Sequence, residues 1–307
     1  MRRRFFSRCA VSFLEELNRK MNAIRGALFA IVVLLCFGLS GCGGPAKAPA
    51  GGTGTAANGS EDTLARIKRE GVLRWGADPN GGGPFVYMAD DGKTVIGFEM
   101  EVMELFAKHM GVKPELVASD WDALIDTLQS RRTDMVMNGI EINEDRAKVV
   151  GFSEPYYLYE QQLTVRIEDK DKYKTLDDLK GKPVGTLKAA EANNVLTRAG
   201  WSEENIKPYP DSLTPYTDLK LKRTEAVLQE SIIAAHYAGK DEKLLNNPNT
   251  FSPGKYAVAV RAQDKTLLGE VNRILDLMKK NGELAAIYAK WNIMNDKQKE
   301  LGVEAKN

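Results

Sequence analysis

From Thr63 onward, short apolar runs alternate with longer segments whose apolar residues recur at helical spacing. Runs of the first kind fall at residues 72–77, 114–118, 135–137, 183–186, 206–209, 226–228 and 256–260. Their continuity predicts strands covered on both faces, as in a parallel sheet. The intervening periodicity predicts helices over residues 63–70, 99–110, 121–128, 189–199, 214–222, 231–238, 265–280 and 283–291. The clearest is 99–110, where Val102, Met103, Phe106, Ala107 and Met110 share one face. Residues 85–88 and 94–97 flank Asp90-Asp91-Gly92-Lys93, a turn sequence that predicts a hairpin. Strand followed by helix, repeated, is the pattern of an α/β fold. Two such runs, with a late strand and two helices returning at the end, point to two lobes.

Ahead of this pattern the chain has a different character. Arg25 precedes an apolar run over residues 27–39, too short to span a bilayer and suited to the core of a signal peptide. Residues 1–41 are read as that signal, with Met21 as an alternative start. Arg2, Arg3 and Arg4 lie too far from the apolar run to make a strong twin-arginine signal. Leu39-Ser40-Gly41-Cys42 resembles a bacterial lipobox, which implies cleavage before Cys42 and lipid on its thiol; the plainer alternative is an ordinary thiol. Residues 43–60 are Gly, Ala, Pro and Thr with almost no apolar bulk, so they read as a tether. Such a coil spans roughly 20–25 Å on average.

Composition narrows the function classes. The chain has 307 residues, 43% hydrophobic, with a formal net charge of +1, enough for one large or two medium domains. No basic stripe with interleaved aromatics speaks for nucleic acid. Cys9, Cys36 and Cys42 all precede the patterned region, which therefore holds neither a disulfide nor a cysteine metal site.

The informative stretch is residues 120–157. A helix opened by Trp121 leads to the buried run Met135-Val136-Met137; the apolar pattern stops at Asn138 and Gly139. Asn143 then reads as a helix cap, with Glu144, Asp145 and Arg146 behind it. A cation near a helix N-terminus opposes the helix dipole and is poor for stability alone. Spacing leaves two readings of Arg146 open: a surface pair with Glu141, Glu144 or Asp145, or a planar fork for a carboxylate.

At GIEINEDRAKVVGFSEPYY (residues 139–157) the chain resembles the extracytoplasmic amino-acid-binding proteins that feed ABC importers. That family shows a glycine-containing strand end, a Thr-x-x-Arg-type helix start and Phe-Ser-x-Pro-Tyr; here Asn143 replaces the Thr. Similarity runs from GVLRWGAD through PFVYMADDGKTVIGFEME and VASDWDAL to LDDLKGKPVGTL and TEAVLQES. The resemblance implies a two-lobed periplasmic-binding-protein fold of type II with a ligand cleft between the lobes. Lobe 1 would be discontinuous, residues 61–160 and 254–307, and lobe 2 would be residues 161–253. The crossings are expected near residues 158–163 and 251–256.

The resemblance also implies roles. Arg146, with the N–H groups around Glu141, corresponds to a carboxylate clamp. Glu230 stands where the family places an aspartate against the ligand's ammonium, though an exposed acid at a helix start is the alternative on spacing alone. Trp121 corresponds to a stacking aromatic, or else to a core residue. Asn138 and Gly139 would present amide and carbonyl groups to the ammonium, and Glu191 lies at the helix end that closes from lobe 2. Three departures stand out: Gly82 replaces an aromatic, Glu141 replaces Ser or Thr, and Lys188-Ala189-Ala190-Glu191 lacks the usual Gly-Thr/Ser. Gly82 implies a roomier pocket. Two acids against one arginine favour a cationic or amide side chain.

The expected partners are a small amino acid and an inner-membrane ABC permease. The protein is expected to be a membrane-anchored extracytoplasmic monomer, using no cofactor and no metal. An enzyme is the rival. His109 and His236, the only histidines, lack metal-ligand spacing, Ser153 lacks a nucleophile-elbow context, and Gly81–Gly83 lack phosphate-loop spacing. The dehydratase branch of the same fold, acting on prephenate-like acids, needs a proton donor one turn beyond the ammonium-binding acid; Ile233 stands there and donates nothing. A ligand-presenting sensor is the remaining alternative.

Overall fold

The computed structural model describes residues 62–304; the readings of signal peptide, lipobox and tether fall outside the described residues. Two five-stranded sheets carry the fold. The first is built from β1 (Val72–Ala77), β4 (Lys113–Ala118), β5 (Met135–Val136), β6 (Val150–Phe152) and β12 (Ala259–Arg261), in the order β4-β1-β5-β12-β6. β1 runs parallel to both β4 and β5, with Trp75 between Leu116 and Met135, while β12 is antiparallel to its neighbours. A separate hairpin joins β2 (Tyr87–Met88) to β3 (Val95–Ile96).

The second sheet holds β7 (Tyr157–Arg166), β8 (Val184–Leu187), β9 (Ile206–Tyr209), β10 (Ala226–Glu230) and β11 (Leu244–Tyr256), in the order β11-β7-β10-β8-β9. Its core gathers Leu163, Val165, Leu196 and Leu228 around Trp201. The first sheet is covered by α1 (Thr63–Glu70), α2 (Phe98–Met110), α8 (Lys265–Lys280) and α9 (Glu283–Lys290), whose buried faces meet around Phe98, Phe106 and Tyr288. α2 buries Val102, Met103, Phe106, Ala107 and Met110, the face its spacing predicts. No helix among the described residues is long and apolar enough to cross a membrane.

β7 and β11 are the two longest strands among the described residues. They pair antiparallel, with Tyr157 opposite Tyr256 and Tyr159 opposite Gly254, and the register shifts between Phe251 and Gly254. Tyr159 and Tyr256 stack at 4.4 Å between ring centroids. A Cβ on Gly254 would lie 2.2 Å from the Tyr159 ring, so this close approach needs a residue without one.

Several expected elements differ. The run at residues 256–260 is not one strand: Tyr256 ends β11, and β12 begins at Ala259. β11 contains Pro248, Pro253 and three asparagines, so its pattern resembles a loop; pairing to β7 makes it extended. The run at 85–88 contributes only Tyr87 and Met88 to the hairpin. Phe85 and Val86 are buried, because the Phe98 and Glu99 N–H groups donate to the Pro84 and Phe85 carbonyls. Residues 121–123 form a 3-10 turn ahead of α3 (Leu124–Gln129).

Glu99, in the first turn of α2, is fully buried and accepts from the Gly139 N–H at 2.9 Å and from the Tyr156 hydroxyl. Burial pushes its carboxyl up to about 7 from 4.5. The folded state then holds a proton that the unfolded chain releases, so stability is full below pH 4.5 and falls as pH rises to about 7. Glu99→Gln should reduce the stability difference between pH 5 and pH 8 by about 2.5 kcal/mol. Chemical denaturation at both pH values checks this; an unchanged difference refutes it.

Candidate functional site

The carboxyl ends of strands from both sheets converge on one cavity, where open α/β sheets present ligand-binding groups. Asp78 follows β1, Asn138 and Gly139 follow β5, Leu187 ends β8 and Glu230 ends β10; all five line a cavity of about 370 Å³, counting its open mouth. Phe85, Trp121, Ile233 and Tyr256 supply apolar wall. Asp78, Glu141 and Glu230 bring three carboxyls to the lining, and no Lys or Arg lines it. Among the described residues no group of His, Cys, Asp or Glu is placed to hold a metal ion.

The acids are held in different ways. The Asp78 carboxylate accepts from the Asn80 and Trp121 N–H groups at 2.8 and 2.9 Å, yet burial keeps its pKa raised. Glu230 is 2% exposed, and the Gln161 amide reaches it only at 3.4 Å. Burial first, then the Glu141 charge, pushes the Glu230 carboxyl well above the usual range.

Glu141 is 1% exposed and fully engaged. One oxygen accepts from the Arg146 guanidinium; the other accepts from the Glu191 N–H at 2.9 Å. That N–H opens α5 (Glu191–Arg198), and Ala190 before it is extended, which turns the first N–H groups of α5 outward. Arg146 also donates to the Glu141 carbonyl and, across the cleft, to the Ala189 carbonyl, both at 3.0 Å. Its guanidinium lies 5.3 Å above the Trp121 ring. The Asn143 side chain accepts from the Arg146 N–H at 2.9 Å, starting α4 (Glu144–Ala147) and fixing where Arg146 points.

The residues singled out in the sequence thus fall into two groups. Trp121, Asn138, Gly139, Glu141 and Glu230 line the cavity. Arg146 sits behind Glu141. Glu191 reaches the site through its backbone, because its carboxylate bonds Asn194 and Arg198 on its own helix. Asn138 and Gly139 are committed within the protein: the Asn138 side-chain oxygen accepts from Asp78 N–H at 2.7 Å, and the Gly139 N–H goes to Glu99. Gly139 has φ 61°, and a Cβ there would lie 2.8 Å from the Phe85 ring. Lys188 pairs with Asp122 at 2.6 Å and leaves the cavity acids alone.

The room expected beside Gly82 is filled. A Cβ there would fall 2.2 Å from the Tyr237 hydroxyl, which itself accepts from the Gly83 N–H at 2.6 Å. Asp78, Ser212 and Tyr256 line the cavity without having been singled out. Asp78 carried a usable signal, as the first polar residue after a buried strand. Tyr256 and Ser212 carried none.

Residues 73–294 match the family described as bacterial extracellular solute-binding proteins, family 3. This chain belongs to that family. Among relatives of this solute-binding protein, L-cystine-binding protein TcyJ of Escherichia coli (strain K12) is 34% identical over 75% of this chain and 86% of its own. The arginine-binding periplasmic protein of Mannheimia haemolytica is 28% identical, covering 66% of this chain and 85% of its own. A solved structure described as an ancestral amino acid-binding protein, a precursor of cyclohexadienyl dehydratase, has a TM-score of 0.69 at 30% identity, over 75% of this chain and 99% of that one. The curated relatives compared are binding proteins.

In the solute-binding protein, the cavity is closed by contacts between its two walls: Arg146 to Ala189, Glu141 to the Glu191 N–H, Lys188 to Asp122, and the Ser212 N–H to the Gly81 carbonyl at 2.8 Å. Removing the arginine leaves a carboxylate without its cation in a place shielded from water. Arg146→Ala should therefore cost up to about 3–5 kcal/mol, less whatever opening of the cleft returns by rehydrating Glu141. Adding Glu141→Ser to Arg146→Ala should restore part of the lost melting temperature. Additive losses in that double-variant comparison would show that the two groups are not coupled.

Proposed function

We infer that this protein captures a polar amino acid outside the cytoplasm by closing its two lobes and delivers it to an ABC importer. The observation that carries the reading is one cleft holding two complementary ends. Arg146 and the Glu191 N–H already grip a carboxylate, and Glu230 is a buried acid lining the same cavity as Glu141. An amino acid's ammonium would give Glu230 the counter-charge its surroundings deny it. Trp121, Phe85 and Tyr256 give apolar cover for a side chain. Contacts that exist only when the walls meet make ligand favour the closed form.

The reading includes lobe boundaries of 61–160 with 254–307, and 161–253, so that β7 and β11 are the two crossings. It also includes export by a signal over residues 1–41, lipidation at Cys42, residues 42–60 as the tether, and action as a monomer beside an inner-membrane permease. Binding without turnover is supported at Ile233, which lines the cavity and has no proton to give. The relatives' names, one for cystine and one for arginine, support an amino-acid ligand.

Melting of the mature domain with each of the common amino acids, followed by calorimetry, tests this. At least one should raise the melting temperature, and Glu230→Gln should weaken it by about tenfold or more, the value of a charged hydrogen bond. Equal affinity in that variant would remove Glu230 from the site. Consumption of prephenate by the unaltered protein would move it to the dehydratase class.

A further inference from the structure

The grip that would receive a ligand's carboxylate is occupied by the protein's own side chain. Both oxygens of Glu141 are taken, one by Arg146 and one by the Glu191 N–H. The second arm of the Arg146 fork is spent on Ala189. An incoming α-carboxylate therefore meets a seat already filled by an identical group, and both cannot stay: two carboxylates sharing one guanidinium repel one another in a shielded site. Entry requires that Glu141 leave.

Where Glu141 goes is set by its neighbours. It lines the cavity together with Glu230 and Asp78, both of which resist ionisation already. Lys188 is committed to Asp122, so no lysine or arginine reaches this wall to receive a displaced carboxylate. The ligand's α-ammonium can answer Glu230 and nothing further. A second positive charge is needed for Glu141, and the ligand has to bring it.

We propose that Glu141 is a resident competitor for the carboxylate seat, which restricts the ligand to α-amino acids with a second cationic group on the side chain. The carboxylate takes the place of Glu141 between Arg146 and α5, the ammonium meets Glu230, and the side-chain cation meets the displaced Glu141. The alkyl body between them lies against Trp121 and Phe85. Neutral side chains of the same shape leave Glu141 buried without a counter-ion and are refused. This rests on the reading of the cleft as an amino-acid site.

Matched pairs of probes isolate the charge: L-arginine against L-citrulline, and L-lysine against L-norleucine. In calorimetry the unaltered protein should bind the cationic member of each pair about tenfold tighter or more. Glu141→Ser vacates the seat, and Glu141→Gln keeps the shape without the charge, so the second serves if the first fails to fold. In either variant the gap within each pair should narrow, chiefly because the neutral member binds better. Citrulline bound as tightly as arginine by the unaltered protein, or an undiminished gap in both variants, overturns the proposal. If the unaltered protein binds other amino acids and none of these four, the proposal also fails while the amino-acid reading stands. No amino acid bound by folded, unaltered protein would instead sink the reading of the cleft itself.

Discussion

A carboxylate stripped of water must find donors of its own, and the way Glu141 finds them organises the meeting of the two halves of this protein. Its cation comes from the short turn after Asn143, its second donor from the first N–H of α5 on the opposite wall. The cation is five residues away along the chain, but the second donor is not near by connectivity. The separation in sequence between Glu141 and Glu191 is bridged only when the sheets face each other, so a single buried charge reports on the whole closure. Around it the other contacts between the walls are neutral or exposed to solvent, and exposed ion pairs such as Lys188 with Asp122 add little by themselves.

Beside the cavity, a strand pair is held by stacked aromatic rings. β7 and β11 carry Tyr157, Tyr159 and Tyr256 against one another, with ring centroids 4.4 Å apart for Tyr159 and Tyr256 and 6.0 Å for Tyr157 and Tyr256. Gly254 lets the Tyr159 ring lie on the backbone, and the irregular register beside it breaks the ladder locally. Tyr256 also lines the cavity and Glu141 pairs with it through an isolated bridge, so the strand pair and the cavity wall share residues.

The cavity's charge balance is one-sided. Three carboxyls line it, and the nearest guanidinium is already neutralised. Burial first raises the cost of ionising Asp78 and Glu230, and a neighbouring carboxylate, Asp120 or Glu141, raises each further. A site with this balance rewards positive charge in whatever enters. One residue, Glu141, contributes most directly to the imbalance, since its charge also acts on Glu230. Specificity by repulsion of the wrong ligand is as effective as attraction of the right one.

Local patterning was enough for the α/β character, for α2 with its buried face, and for β1 and β9 to the residue, because covered strands and amphipathic helices write their periodicity into neighbouring positions. The motif around residues 139–157 was enough for the family. β11 was hidden, since its prolines and asparagines read as loop and only its partner strand makes it extended. Gly82 read as empty space, and Tyr237, from far along the chain, fills it. Arg146, Glu141 and Glu191 were legible as chemically apt residues, with Arg146 expected on one lobe and the Glu191 helix end on the other. What no spacing reveals is that Glu141 accepts from the first N–H of α5: hydrogen-bond partners across a cleft are decided by distance in space, and distance in space is settled only by the packed chain.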